Sequence, residues 1–330
     1  MKKIFALLLS AALLVTLLAA CGGGNTTDTD TDTQEPATDA STTQVEEQEP
    51  DTGDASKDDP LNQDEIGEKE LLVVSFGTSY NDSRRETIGA IEKAMQTAFP
   101  DYSVRRAFTS QIIIDHVKDR DGVTIDNVEQ ALERAVNNGV KTLVVQPTHL
   151  MNGLEYEELT DELAKYSDSF EKIAIGDPLL TSDADFEAVM TAITDATKDA
   201  ADGKTAICFM GHGTTAASNS VYSKLQTLLT DKGFNDYYVG TVEATPSLDD
   251  VLAAVQKGNY EKVILRPLMI VAGDHANNDM AGDEDDSWKS TFEKAGYTVD
   301  CQVEGLGQLE AIQQLFVEHA KAAVASAEAE

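Results

Sequence analysis

Positive charge is what this chain lacks most: 25 lysines and arginines stand against 59 aspartates and glutamates, leaving a net charge of −34. Contacts to phosphate need a basic footprint, so a nucleic-acid partner is excluded. Cysteine is almost missing as well. Three in 330 residues build no disulfide framework. Cys208, inside the apolar run Ala206-Ile207-Cys208-Phe209-Met210, and Cys301, beside a predicted strand, read as free thiols. Histidine occurs only five times, so the placement of each one carries weight.

What is present begins at the N-terminus. Lys2 and Lys3 precede an uncharged apolar run over residues 4–20, which is short for a bilayer span and right for a signal-peptide core. It ends in Leu18-Ala19-Ala20-Cys21-Gly22, which resembles a bacterial lipobox. The resemblance implies a lipoprotein signal peptide over residues 1–20, cleavage before Cys21 and lipidation of that cysteine. The mature chain is then expected to be an extracytoplasmic lipoprotein, at the cell surface or in the periplasm, held to the membrane by its anchor alone. Residues 22–66 contain fourteen Asp or Glu against one Lys, a net charge of −13, and little that fills a core. Such composition does not offset its ordering entropy, so residues 21–66 are expected to form a disordered stalk.

The remainder reads twice through one pattern. Leu71-Leu72-Val73-Val74-Ser75-Phe76-Gly77 is a buried strand running into a glycine turn. A helical apolar spacing over residues 83–99, a strand over 104–109, a helix over 127–138 and a buried strand over 142–149 follow. Thr205-Ala206-Ile207-Cys208-Phe209-Met210-Gly211 answers the first strand, and Lys262-Val263-Ile264-Leu265-Arg266-Pro267 answers the last. Gly77 to Gly213 spans 136 residues and Pro147 to Pro267 spans 120, so the repeat is kept while loops drift. The expected fold class is α/β. Two similar halves, residues 67–200 and 201–330, each a mostly parallel sheet flanked by helices, face each other across a cleft.

Four side chains point at that cleft from strand ends, where open α/β sheets bind ligands. They are His212 in Gly211-His212-Gly213, Glu243 in Val242-Glu243-Ala244, His275 in Gly273-Asp274-His275, and Glu155 after His149-Leu150-Met151-Asn152-Gly153-Leu154. Two neutral imidazoles and a carboxylate suit Co(II), Fe(II), Ni(II) or Zn(II) and leave coordination positions open. Taken singly, each histidine reads either as a ligand or as a hydrogen-bonded loop residue, and spacing does not decide. His116 and His319 fall in amphipathic segments as ordinary surface groups, with His149 between the two cases. The acidic residues after His275, from Asp274 and Asp279 to Asp283-Glu284-Asp285-Asp286, read as a solvated loop or as a carboxylate that orients His275.

Longer motifs narrow the choice. Ser75-Phe76-Gly77-Thr78-Ser79-Tyr80, Arg106-Ala107-Phe108-Thr109-Ser110, His149 through Tyr156, Met210-Gly211-His212-Gly213, Val242-Glu243, Gly273-Asp274-His275-Ala276-Asn277-Asn278-Asp279-Met280 and Asp286-Ser287-Trp288-Lys289 resemble the sirohydrochlorin cobaltochelatases of the anaerobic cobalamin pathway. These are class II chelatases, relatives of the ferrochelatases. The resemblance implies ATP-independent insertion of Co(II), with Fe(II), Ni(II) or Zn(II) as alternatives, into a tetrapyrrole held between the halves, and no organic cofactor. It places the metal on His212, Glu243 and His275, and catalysis on His212, His275 and Glu155. Sirohydrochlorin carries eight carboxylates, so local donors must overcome the acidic field. Ser75, Gly77, Thr78, Ser79, Arg106, Gly213 and Thr214 are the substrate-binding candidates, with Arg84, Arg85, Arg105 and Thr215 behind them. An exported chelatase departs from the cytoplasmic habit of such enzymes. It leaves open the rival of a surface protein that carries haem, a corrinoid or metal, or strips metal from a scavenged tetrapyrrole, with a transporter or a second copy of itself as partner.

Overall fold

Apolar, β-branched residues on both faces of a strand call for helices on both sides, and the run Leu71-Leu72-Val73-Val74 obeys this. The computed structural model describes residues 52–329. The signal peptide, Cys21 and residues 21–51 of the expected stalk lie outside them. The first sheet contains β1 (Lys69–Ser75), β2 (Ser103–Phe108), β3 (Thr142–Pro147) and β4 (Lys172–Ile175), all parallel, in the order β2-β1-β3-β4. Its helices are α1 (Asn81–Glu86), α2 (Ile88–Ala98), α3 (Gln111–Asp121), α4 (Val128–Asn137) and α5 (Leu154–Ala164), while α6 (Asp183–Thr197) crosses to the second half, where Thr197 bonds Tyr237. The second sheet repeats the order as β6-β5-β7-β8, from β5 (Thr205–Gly211), β6 (Tyr237–Thr241), β7 (Lys262–Pro267) and β8 (Thr298–Cys301). The helices α7 (Ser220–Asp231), α8 (Leu248–Val255) and α9 (Trp288–Lys294) accompany it, and α10 (Glu310–Ala329) closes the chain.

The register makes the repeat close enough to compare residues. Val74 pairs with Pro147 in the first sheet, and Met210 pairs with Pro267 in the second. Thr148 N–H then donates to Val74 O at 2.8 Å, and Leu268 N–H donates to Met210 O at 2.7 Å. The residue two past Val74 is Phe76, and two past Met210 is His212. Glu155 and His275 are each the eighth residue after the paired proline. Phe76 therefore occupies the place of His212, and Glu155 the place of His275.

Three expectations are corrected by packing. Residues 52–66 are not stalk. Leu61 is buried in the main core, and Asp58 accepts from Arg84 Nε at 2.6 Å and from Arg106 Nη1 at 2.7 Å. Composition averaged over the segment hid one acidic residue that two strand- and helix-borne arginines require. The halves also share one core instead of parting at residue 200. Leu71, Ile91 and Phe186 pack in the same cluster as Phe209, Leu225 and Phe316, and Ala323 and Ala327 of α10 cover Val144 of β3. The last helix thus returns to the first sheet. Finally, the helix expected over 83–99 is two helices, broken at Thr87. Among the described residues no helix is long and apolar enough to cross a membrane. Cys208 and Cys301 are free, and burial pushes both thiols up, Cys301 to about 11.

Candidate metal centre

The carboxyl ends of the two sheets approach each other. Ala272 N–H donates to Ser83 Oγ at 3.0 Å, and a Cβ built on Gly273 would stand 3.1 Å from Thr78 Oγ1. On the other flank a Cβ on Gly153 would lie 3.5 Å from Ser218 Oγ. Loops of both halves line this cleft.

His212 follows β5 directly. Its Nδ1–H donates to Gly213 O at 2.8 Å, which fixes the tautomer and leaves the Nε2 lone pair free, 3.9 Å from Glu243 Oε1. Glu243 is held two residues beyond β6 by its own N–H, which donates to His212 O at 2.9 Å. His275 sits at the mouth of a π-helical turn, Ala276–Met280, and its Nδ1 bonds Asp279 Oδ2 at 2.8 Å, one turn on. Its Nε2 is therefore free as well. The two imidazole rings meet edge to face, centroids 4.7 Å apart, and donor atoms of His212, Glu243 and His275 all lie within 4.8 Å of one another. Bonds of about 2.1 Å to one ion put neighbouring donors about 3 to 3.5 Å apart, so small side-chain shifts complete the set. The side chains are about half exposed, which keeps further coordination positions open to water or substrate. Asp279, which in the sequence stands out only as part of an acidic stretch, fixes His275 as carboxylates do for ligating imidazoles.

Glu155 stands apart from this triad, exposed in the first turn of α5 on the wall of the first half. Behind it lies His149, buried, with neither ring nitrogen hydrogen-bonded within the protein. Burial pulls its pKa down to about 4 against the opposing charge of Glu155, so the ring is neutral near pH 7. His319 bonds Asp185 at 3.0 Å and Asp177 O at 3.1 Å, and His116 is exposed on α3.

Most of the substrate-binding candidates are otherwise engaged. Arg106 is fully buried, its guanidinium shared between Glu92 and Asp58 at 2.7 Å each. Arg105 pairs with Asp126 at 2.9 Å, Arg84 with Asp58, and Arg85 with its surface neighbours Asp82 and Glu86. None of the four is directed at a ligand in the cleft. Ser75 is buried and its Oγ accepts from Thr148 Oγ1 at 2.7 Å. The backbone N–H groups of the candidates Gly213 and Thr214 are occupied too: Gly213 donates to the Tyr222 hydroxyl at 3.2 Å and Thr214 to Asn219 Oδ1 at 3.1 Å. Gly77 and Gly213 have φ of +104° and +90°, and a Cβ there would meet the Phe108 ring at 2.5 Å or Ala244 N at 2.9 Å. These glycines make room for protein, not for a macrocycle. Thr78 is buried and Ser79 half-buried. The exposed residue in this first loop is Phe76, which sequence reading passed over although its place in the repeat matches His212.

Two equivalent parallel α/β halves with an open His-His-Glu set at one sheet end define a metal-handling protein of chelatase architecture. SirB from Bacillus subtilis, solved with Fe3+, has this fold. Its TM-score is 0.57 at 14% identity, covering 80% of this chain and 98% of that one. The family model for cobalt chelatase (CbiK) matches residues 69–325, and the chain belongs to that family of metal chelatases. It is 38% identical over 251 residues to the sirohydrochlorin cobaltochelatase of Salmonella typhimurium, spanning 76% of this chain and 94% of the relative. It is also 30% identical over 260 residues to sirohydrochlorin cobaltochelatase CbiKC of Nitratidesulfovibrio vulgaris, spanning 78% and 91%.

Proposed function

We propose that this chain inserts Co(II) into sirohydrochlorin, with His212, His275 and Glu243 holding the incoming metal and Glu155 receiving protons across the cleft. The observation that carries the reading is the convergence of three donors from separate loops within 4.8 Å, in a chain of this family. Insertion replaces two pyrrole N–H bonds by Co–N bonds and releases two protons. A ligated imidazole has its Nε2 on the metal and its Nδ1–H already donated, so at least one acceptor must lie off the metal. Glu155 takes that role by its place in the repeat opposite His275. No bond is oxidised or reduced, which is why no organic cofactor is needed. Fe(II), Ni(II) and Zn(II) suit the same donors, so choice among metals rests on supply and geometry.

With the arginines engaged elsewhere, the substrate carboxylates are left to hydroxyl donors such as Ser79 and to water at the cleft mouth. The export signal supports a location outside the cytoplasm, with Cys21 as the lipid-bearing residue and the tetrapyrrole met there. The test is direct: the full chain, sirohydrochlorin and Co(II) are mixed and the absorption change followed. Insertion well above the spontaneous rate is expected. A spontaneous rate together with tight haem binding would favour a carrier.

A further inference from the structure

The repeat sets a phenyl ring where the second half has its first metal-holding imidazole. Phe76 follows β1 as His212 follows β5, and it is 51% exposed in a stretch whose neighbours Ser75 and Gly77 are buried. Leu154, 52% exposed, immediately precedes Glu155 at the same sheet edge. The two loops are tied at their roots by the Thr148 to Ser75 hydroxyl bond. Two of the four large apolar residues exposed among the described residues thus lie at the strand ends of the first half, beside the cleft. The metal donors are all on the other side of it. A single exposed leucine needs no explanation, but a rigid aromatic ring left in water at a ligand-binding sheet end does.

We propose that Phe76, flanked by Leu154, is the platform on which one face of the macrocycle stacks, while the opposite face is turned to His212, Glu243 and His275. This rests on the tetrapyrrole reading above and adds the residue that orients the substrate. A conjugated ring system gains from offset contact with a phenyl face and from the apolar area both remove from water. Because the duplicated halves present a metal set on one side and an aromatic on the other, the ion reaches the ring from one face only. Phe76 touches the substrate without exchanging protons or metal, so it acts on binding and orientation.

The experiment compares the parent chain with Phe76→Ala, Phe76→Tyr and Phe76→Trp. It measures affinity for metal-free sirohydrochlorin by absorption titration, Co(II) affinity without tetrapyrrole, thermal melting, and insertion rate. Phe76→Ala is expected to weaken tetrapyrrole binding about tenfold and raise KM, with Co(II) affinity and melting unchanged. Phe76→Tyr should restore binding. Phe76→Trp should show emission quenched by bound tetrapyrrole beyond any change in the parent, whose one tryptophan, Trp288, is buried. Parent-like affinity in Phe76→Ala, or no quenching beyond the parent's in Phe76→Trp at saturation, would overturn the platform. Tight tetrapyrrole binding by the parent without insertion would sink the chelatase reading and leave the platform standing.

Discussion

Asp279 does for His275 what the Gly213 carbonyl does for His212: each accepts a hydrogen bond from Nδ1–H and leaves Nε2 open. The two locks differ in kind, since one is a side chain and is open to substitution. Asp279→Asn should weaken Co(II) binding about 10- to 100-fold, read by titration of the cobalt absorption bands, with melting unchanged. At this scale His212, Glu243 and His275 stood out because polar residues just past apolar strands fall where α/β sheets bind ligands; spacing left each open to a plain loop role, and only the longer motifs favoured a metal. The arginines were not. Arg105 and Arg106 stand in a strand whose partners, Asp58, Glu92 and Asp126, lie far away in sequence, and only folding pairs them. Phe76 was hidden differently, inside a motif whose glycine and hydroxyls drew attention to themselves.

Among elements, buried ion pairs tie α1 and β2 to the segment before β1. Asp58 answers two fully buried guanidiniums, and removing it leaves both short of a partner. Asp58→Ala is expected to cost about 3–5 kcal/mol in urea unfolding. Glu70, buried at the start of β1, has its pKa raised to about 7 by burial, which Arg105 at 3.5 Å only partly offsets. A carboxyl raised in the folded state binds its proton more tightly there than in the unfolded chain. Its contribution is therefore present at low pH and lost as pH rises from the ordinary value of 4.5 through about 7. The stability difference between parent and Glu70→Gln should shift toward the variant over that window; a difference flat with pH would contradict this. Central strands could be read from the sequence because they are continuous apolar runs. The edge strand β4, four residues long and only partly buried, carries too little pattern to stand out.

For the whole molecule, the shared core sets where the folded unit starts. A chain beginning at residue 67 loses Asp58 and Leu61, so it should melt well below one beginning at residue 52. Equal melting temperatures would mean the segment contributes nothing. Duplication was visible in the sequence, but the return of α10 to the first sheet was not, because an amphipathic helix does not declare which sheet it covers. Under the export reading, Cys21→Ala should move the protein from membrane to soluble fractions, and mass spectrometry should find no acyl group. The central claim is that two imidazoles from separate loops deliver one metal ion to a bound tetrapyrrole. The measurement that tests it most directly is the rate of cobalt insertion into sirohydrochlorin by His212→Ala and by His275→Ala, each with its melting curve. Both variants should melt like the parent and insert no faster than the spontaneous reaction. Insertion at the parent rate by either would contradict the account.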